Sequence, residues 1–189
     1  SGTRRTGPDR MDEINLVAAG SNSGWSILMG PEARDPQGED RDDLVDLALA
    51  STYSEPEFSF ASPIGITSLG FLAGSALGAG YDDALLVGAS NTGELHLLRL
   101  DDAREGFVLA GALADLVADG LSERTALAFG QGFGVVTGIE TGPDGAVYVL
   151  SLGGRAVYRL APVPEPAGAA LTGLGLLGLA GLRTRRPRS

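Results

Sequence analysis

The chain has no cysteine and no lysine, and its one histidine is His96. Without thiols there can be no disulfide and no thiolate metal site. The fold must rest on packing and hydrogen bonds, as is compatible with an exported protein. Without lysine no Gly-rich phosphate loop can be completed, and neither a His-Glu-x-x-His helix nor a Gly-x-Ser-x-Gly elbow occurs. Positive charge is scarce and unevenly placed. The formal charge is −10, yet Arg183, Arg185, Arg186 and Arg188 crowd the very end, so the preceding residues are more acidic still. Nucleic acid is thereby excluded as a partner, because phosphate binding needs a basic footprint.

What is present is most distinctive at the C-terminus. Val163-Pro164-Glu165-Pro166 precedes an uncharged Ala/Gly/Leu run from Ala167 to Leu182, and the arginines follow. An uncharged run can enter hydrocarbon as a helix, since its backbone is bonded internally. At about 24 Å against a core of about 30 Å it is a marginal span, suited to transient membrane insertion. Basic residues beyond it favour a cytoplasmic end, which places everything before Pro164 outside. Pro164 and Pro166 hold the backbone extended, a form that a peptidase can grip. Residues 163–189 resemble a PEP-CTERM sorting signal, the tail recognised by exosortase-type transpeptidases in Gram-negative bacteria. The resemblance implies that Pro164, Glu165 and Pro166 are the sorting motif. It also implies export through an inner-membrane intermediate to the cell surface or extracellular matrix, often in association with polysaccharide. The alternative is an ordinary C-terminal membrane anchor. No basic-then-apolar leader begins at Ser1, so the chain is expected to lack its natural N-terminus or to be a piece of a longer protein.

Residues 1–162 carry the signals of β structure. Ala84 to Gly88, Glu94 to Leu100, Val135 to Glu140, Ala146 to Ser151 and Ala156 to Leu160 are short apolar, β-branched or aromatic runs. Turn clusters at Asn91-Thr92-Gly93, Gly142-Pro143-Asp144-Gly145 and Gly153-Gly154 separate them. Asp82 to Leu100 reads like Pro143 to Leu160: a turn, an apolar strand, a Gly turn, and a strand ending in Arg-Leu. Each copy follows a strand-like segment, GITSLGF from Gly65 and VVTGIE from Val135. Such repeated units are how propeller blades are written, although two similar hairpins can also arise by coincidence. Asp42 to Ala50 is expected to form a short helix, and Val108 to Phe129 a turn or two of helix between blades.

Gly7-Pro8-Asp9-Arg10-Met11-Asp12-Glu13-Ile14-Asn15-Leu16-Val17, followed by Gly20-Ser21-Asn22-Ser23-Gly24-Trp25, resembles a stretch of the glucose/sorbosone dehydrogenase family. Ser62-Pro63-Ile64-Gly65-Ile66-Thr67, the LLVG strand and the closing GPDGAVYVLS…YRLAP fall in that family's order. The resemblance implies an all-β fold, here a partial six-bladed β-propeller of roughly two and a half blades followed by a C-terminal hydrophobic helix. It implies oxidation of aldose sugars with pyrroloquinoline quinone (PQQ) and calcium. Gly7 and Pro8 would bind the cofactor's calcium through their carbonyls, while Asp12 and Glu13 would fix the loop or hold a second ion. The alternative for Asp12 and Glu13 is an acidic turn before a strand. Trp25 is read as a core aromatic rather than a cofactor platform, and His96, mid-strand with Glu94 and Leu98 on its face, as structural.

The family's catalytic histidine belongs to an earlier blade, so no catalytic residue is assigned. Its cofactor-contacting arginines align with Val135 to Ile139, where no cation stands, and the basic residue after the LLV strand is replaced by Ser90 or Asn91. A second function therefore stays open, a non-catalytic cell-surface propeller that binds glycans or proteins. The cluster Glu39, Asp40, Asp42, Asp43, Asp46 lacks the alternation of a calcium loop and is read as solvated. Substitution Glu165→Gln is expected to trap unprocessed protein in the membrane fraction, read by immunoblotting of the fractionated native host. Unchanged processing would remove the sorting assignment.

Overall fold

The computed structural model describes residues 11–35, 38–45 and 52–163. Along the chain the strands are β1 (Asp12–Ile14), β2 (Ser21–Asn22), β3 (Thr52–Tyr53), β4 (Phe58–Phe60), β5 (Ile66–Phe71), β6 (Ala84–Ala89) and β7 (Leu95–Arg99). They continue as β8 (Val117–Ala118), helix α1 (Leu121–Ala126), β9 (Ala128–Gly130), β10 (Val136–Thr141), β11 (Val147–Ser151) and β12 (Ala156–Leu160). The fold is mostly β. Sheet orders are β1-β4-β8, β5-β6-β7-β9 and β10-β11-β12, with a small parallel β2-β3 pair.

The β5-β6-β7-β9 sheet lies between the other two, and the alternation of its side chains shows how. Leu85, Val87, Ala89 and Leu98 pack with Ile14, Phe58 and Phe60 of the β1-β4-β8 sheet. Ala84, Leu86 and Leu95 pack with Val136, Ile139, Val147 and Val149 of the β10-β11-β12 sheet. All six residues of β6 are buried. A strand covered on both faces reads as a continuous apolar run, as ALLVGA does. Each large side chain fully buried here contributes about 1.5–3 kcal/mol.

The repeat seen in the sequence is a repeat in space. β5-β6-β7 and β10-β11-β12 are both antiparallel meanders, and each inner pair has a register shift at the same place, between Ile66 and Ser68 and between Val136 and Gly138. The threonines in the two shifts differ: Thr67 Oγ1 donates across to Val136 O of the neighbouring sheet, while Thr137 Oγ1 donates to Leu150 O within its own sheet at 3.4 Å. The close approach of the two sheets depends on glycine. A Cβ on Gly70 would lie 2.5 Å from Ile139 Cγ2, and one on Gly88 2.5 Å from Val136 Cγ1.

His96 is fully buried on the β1-β4-β8 side, its ring 5.4 Å from that of Phe60. Glu94 Oε2 lies 3.4 Å from its Nε2 and 3.1 Å from Arg124 Nε, yet neither ring nitrogen makes an aligned hydrogen bond. Burial, with the Arg124 charge, holds the imidazole pKa below its ordinary value, while Glu94 pulls the other way. The group is a neutral core residue, as its place in the strand indicated.

Two expectations are changed. Within Asp42 to Ala50 the structure gives a single 3-10 turn, Arg41–Asp43, and residues 46–50 lie outside the described ones. Val108 to Phe129 does hold a 3-10 turn (Gly111–Asp115) and α1, but two short strands flank α1, because Val117-Ala118 finds a parallel partner in β4 and Ala128–Gly130 an antiparallel one in β7. Among the described residues no helix is long and apolar enough to cross a membrane, and Ala167 to Leu182 lies outside them.

The Gly88→Ala and Gly70→Ala variants are each expected to lose about 1–3 kcal/mol, because the added methyl must push two packed sheets apart. Urea unfolding followed by far-UV circular dichroism measures this, and an unchanged midpoint for both would contradict the stacking described.

Candidate functional site

Strands β1, β5 and β10 start at the same end of the stacked sheets, where the loops that precede them are tied to one another in series. Asp12 Oδ2 accepts from Gly65 N at 2.6 Å and Ile66 N at 3.3 Å, linking the start of β1 to the start of β5. The β6-β7 turn clasps the same loop, as Ser90 N and Oγ donate to Gly65 O at 2.8 and 3.1 Å and Asn91 N donates to Ile64 O at 2.9 Å. Gly65 has φ +69°, and a Cβ there would meet Ser90 Oγ at 2.4 Å. Further along, Phe133 N donates to Gly93 O at 3.0 Å, and Ser151 Oγ donates to Phe133 O. Ser90 and Asn91 thus serve as a loop clasp.

Asp12 and Glu13 are neighbours in a strand, so their side chains leave opposite faces. Glu13 accepts from Gly30 N and from Asn15 Nδ2, the latter at 3.1 Å. Of the two roles considered for the pair, this geometry serves the fixing of loops. Gly7, Pro8, Pro164, Glu165 and Pro166 lie outside the described residues. Among the described residues no group of three or more His, Cys, Asp or Glu side chains is arranged to hold a metal ion. Within the acidic cluster, Asp40 Oδ1 accepts from Asp42 N at 2.9 Å, capping the 3-10 turn.

Trp25 departs from expectation. It is 66% exposed, not part of the core. Hydrophobicity suggested burial, but the loop from Asn22 turns the ring outward onto a groove of about 460 Å³, whose walls include Asp12, Glu13, Asn15, Ser23 and Ser26. A second cluster escaped the sequence reading. Arg41 pairs with Glu32 and lies 3.2 Å from Glu55 Oε1, its guanidinium carbon 5.0 Å from the Tyr53 ring centre. Arg41 holds the Glu32 carboxyl below its usual range. Burial and a 2.9 Å hydrogen bond to Glu55 push the Tyr53 hydroxyl well up, so it stays protonated. No local sequence signal marks this network, since its members come from separate loops.

A model of the family described as Glucose / Sorbosone dehydrogenase matches residues 3–158. Among solved structures the chain is similar to a glucose dehydrogenase at 18% identity and a TM-score of 0.50, covering 81% of this chain and 39% of that one. It is also similar to the soluble aldose sugar dehydrogenase from Escherichia coli in its apo form (19% identity, TM-score 0.48, 81% and 38% covered). A putative oxidoreductase (glucose dehydrogenase) from Thermus thermophilus aligns at 22% identity with a TM-score of 0.48 over 77% and 32%. The chain therefore spans less than two-fifths of the length of these proteins. A search of curated proteins returned no match.

The Asp12→Ala variant is expected to lose about 1–3 kcal/mol, because the Gly65 and Ile66 amides are left without their acceptor. Amide hydrogen exchange at Gly65 and Ile66 should accelerate, with Asp12→Asn recovering part of the protection. Unchanged exchange in Asp12→Ala would show that the tie does not hold the loop.

Proposed function

The chain belongs to the glucose/sorbosone dehydrogenase family, and on that basis we propose that it is the C-terminal part of an exported sugar dehydrogenase-like protein whose stacked sheets are successive blades of a six-bladed ring. The observation that carries this reading is the Asp12 tie. It bonds the DEIN block to the Pro63-Ile64-Gly65 loop, the two stretches on which the family likeness rests, at the end where the inner strands begin. The ring is supported by the repeated meanders and by the outer face of the β10-β11-β12 sheet. There the cross-strand pair Leu150 and Val157 is 48% and 62% exposed, a face suited to cover by a further blade.

An aldose is the proposed substrate, with PQQ and calcium as cofactors by family likeness, the calcium at the Gly7 and Pro8 carbonyls. The described residues do not fit a tricarboxylate quinone. Arg34, Arg41, Arg104, Arg124 and Arg159 each face a carboxylate, and Arg99 donates to Gly80 O at 2.6 Å, while Arg155 stands exposed in the β11-β12 turn. β10 offers Val136, Thr137, Gly138 and Ile139 where a cation would be needed. Apart from Arg155, the cations that would retain the quinone have to come from residues beyond the described ones. The same observation favours the second reading, a non-catalytic propeller that binds glycans or proteins at the cell surface. In either case the proposed route outward is the Pro164-Glu165-Pro166 tail, processed by an exosortase-type transpeptidase after transient membrane insertion.

The complete protein, reconstituted with Ca²⁺ and PQQ, is expected to reduce an artificial electron acceptor when aldoses are added. Absence of both turnover and quinone retention would end the dehydrogenase reading.

A further inference from the structure

The β7-β9 edge is the weakest joint of the β5-β6-β7-β9 sheet, and the chain's one histidine stands in it. β6 and β7 are paired over five positions, whereas β7 and β9 pair only at Leu95 with Gly130 and at His96 with Ala128, with a register shift between them. Leu97 N adds one bond, donating to Leu127 O at 2.8 Å. The helix that leads into β9 contributes little, since α1 has no side chain capping its start and none of its six residues is buried. An edge held this thinly opens before the sheets separate.

His96 itself is closed to water, and neither ring nitrogen makes an aligned hydrogen bond. The Phe60 ring of β4 lies 5.4 Å away between centres, Val87 of β6 and Ala128 of β9 are the strand partners of His96, and none of the three carries charge. Among the described residues the charged groups that act on it are the Glu94 carboxylate, just before β7, and the Arg124 guanidinium of α1. Glu94 Oε2 is 3.4 Å from His96 Nε2 and 3.1 Å from Arg124 Nε, so one carboxylate stands between two bases. With the imidazole neutral, it balances Arg124 alone. An imidazolium would set two cations against that single carboxylate beside a ring without solvent, and burial of an uncompensated charge is strongly unfavourable. Opening removes the conflict, because separation of α1 and β9 from β7 carries Arg124 away and admits water to the ring.

We propose that Glu94, His96 and Arg124 form an acid-operated latch, closed while the imidazole is neutral and released on its protonation, so that α1 and β9 lift off β7 and bare a strand edge. Such an edge presents unpaired backbone groups to a further strand. The direction of the titration agrees. Burial, with the Arg124 charge, holds the imidazole pKa below its ordinary value against the pull of Glu94 and of the Arg124 carbonyl. The ring therefore takes up its proton on opening, and the closed form loses stability as pH falls below about 6.5, the loss ending at the lower pKa of the buried ring. The latch involves neither sugar nor cofactor, so the dehydrogenase assay does not bear on it.

Hydrogen exchange followed by NMR on the full chain, at about pH 7.5 and about pH 5.0 and divided by the intrinsic rate at each pH, reads the latch. Opening at the Leu97 and Leu127 amides is expected to rise by about 10- to 30-fold at the lower pH, while Leu86 of β6 and Val149 of β11 change by less than about threefold. His96→Phe keeps an aromatic ring against Phe60 and cannot take a proton, so it is expected to abolish the rise. His96 is the only histidine, and its ring Cε1 signal therefore reports this site alone. The midpoint of that signal in the closed form is expected below about 6.5, and it decides the matter should His96→Phe fail to fold. No rise at Leu97, an equal rise at Leu86 and Val149, an equal rise in His96→Phe, or a ring midpoint at or above about 6.5 would each overturn the proposal.

Discussion

The β5-β6-β7-β9 sheet has another sheet packed on each of its faces, and the remaining architecture follows from this double covering. Both sides of β6 are covered, so alternate residues must each find an apolar partner in a different neighbour. That requirement explains why ALLVGA is apolar throughout rather than alternating, and why glycine stands where Val136 and Ile139 come closest. It also fixes the state of His96. Placed on a strand with no solvent face, the imidazole stays uncharged at neutral pH and packs against Phe60, with Glu94 and Arg124 at its margin.

Stacking in the same sense brings the starts of β1, β5 and β10 to one end, and that end is where the loops are tied together. Side chains with the chemistry of ligands, Asp12 and Ser90 among them, direct their hydrogen bonds to backbone groups. Arginines such as Arg34 and Arg159 instead meet carboxylates on a half-exposed surface, where such contacts add little stability but neutralise the cation. The Trp25 loop is held through its backbone by Asn22 and leaves its ring open.

Much of the sheet core was legible beforehand. The runs beginning at Ala84, Glu94, Val135, Ala146 and Ala156 all proved to be strands, with ends displaced by at most a residue or so, because each is long enough to show its pattern and is bounded by Gly or Asn turns. β1, β3, β4 and β8 were not legible, being two or three residues long and stabilised by partners far away in sequence. The Tyr53, Glu55, Glu32 and Arg41 cluster escaped for the same reason. Trp25 misled because hydrophobicity measures the gain from burial, whereas its direction is set by Asn22 and Gly24 holding the turn.

Read alone, the residues establish the β class, the two repeated hairpins, the neutral role of His96 and the family to which the motifs point. These follow from periodicity, composition and local turn chemistry, which act over a few residues. Folding in three dimensions was needed for Asp12 to reach Gly65, for Ser90 and Asn91 to clasp the same loop, and for Arg124 to meet Glu94. It was needed equally to place Trp25 beside Asn15 on an open groove. Those contacts join residues from separate turns, and their distances are set by how the sheets stack, which sequence spacing does not encode.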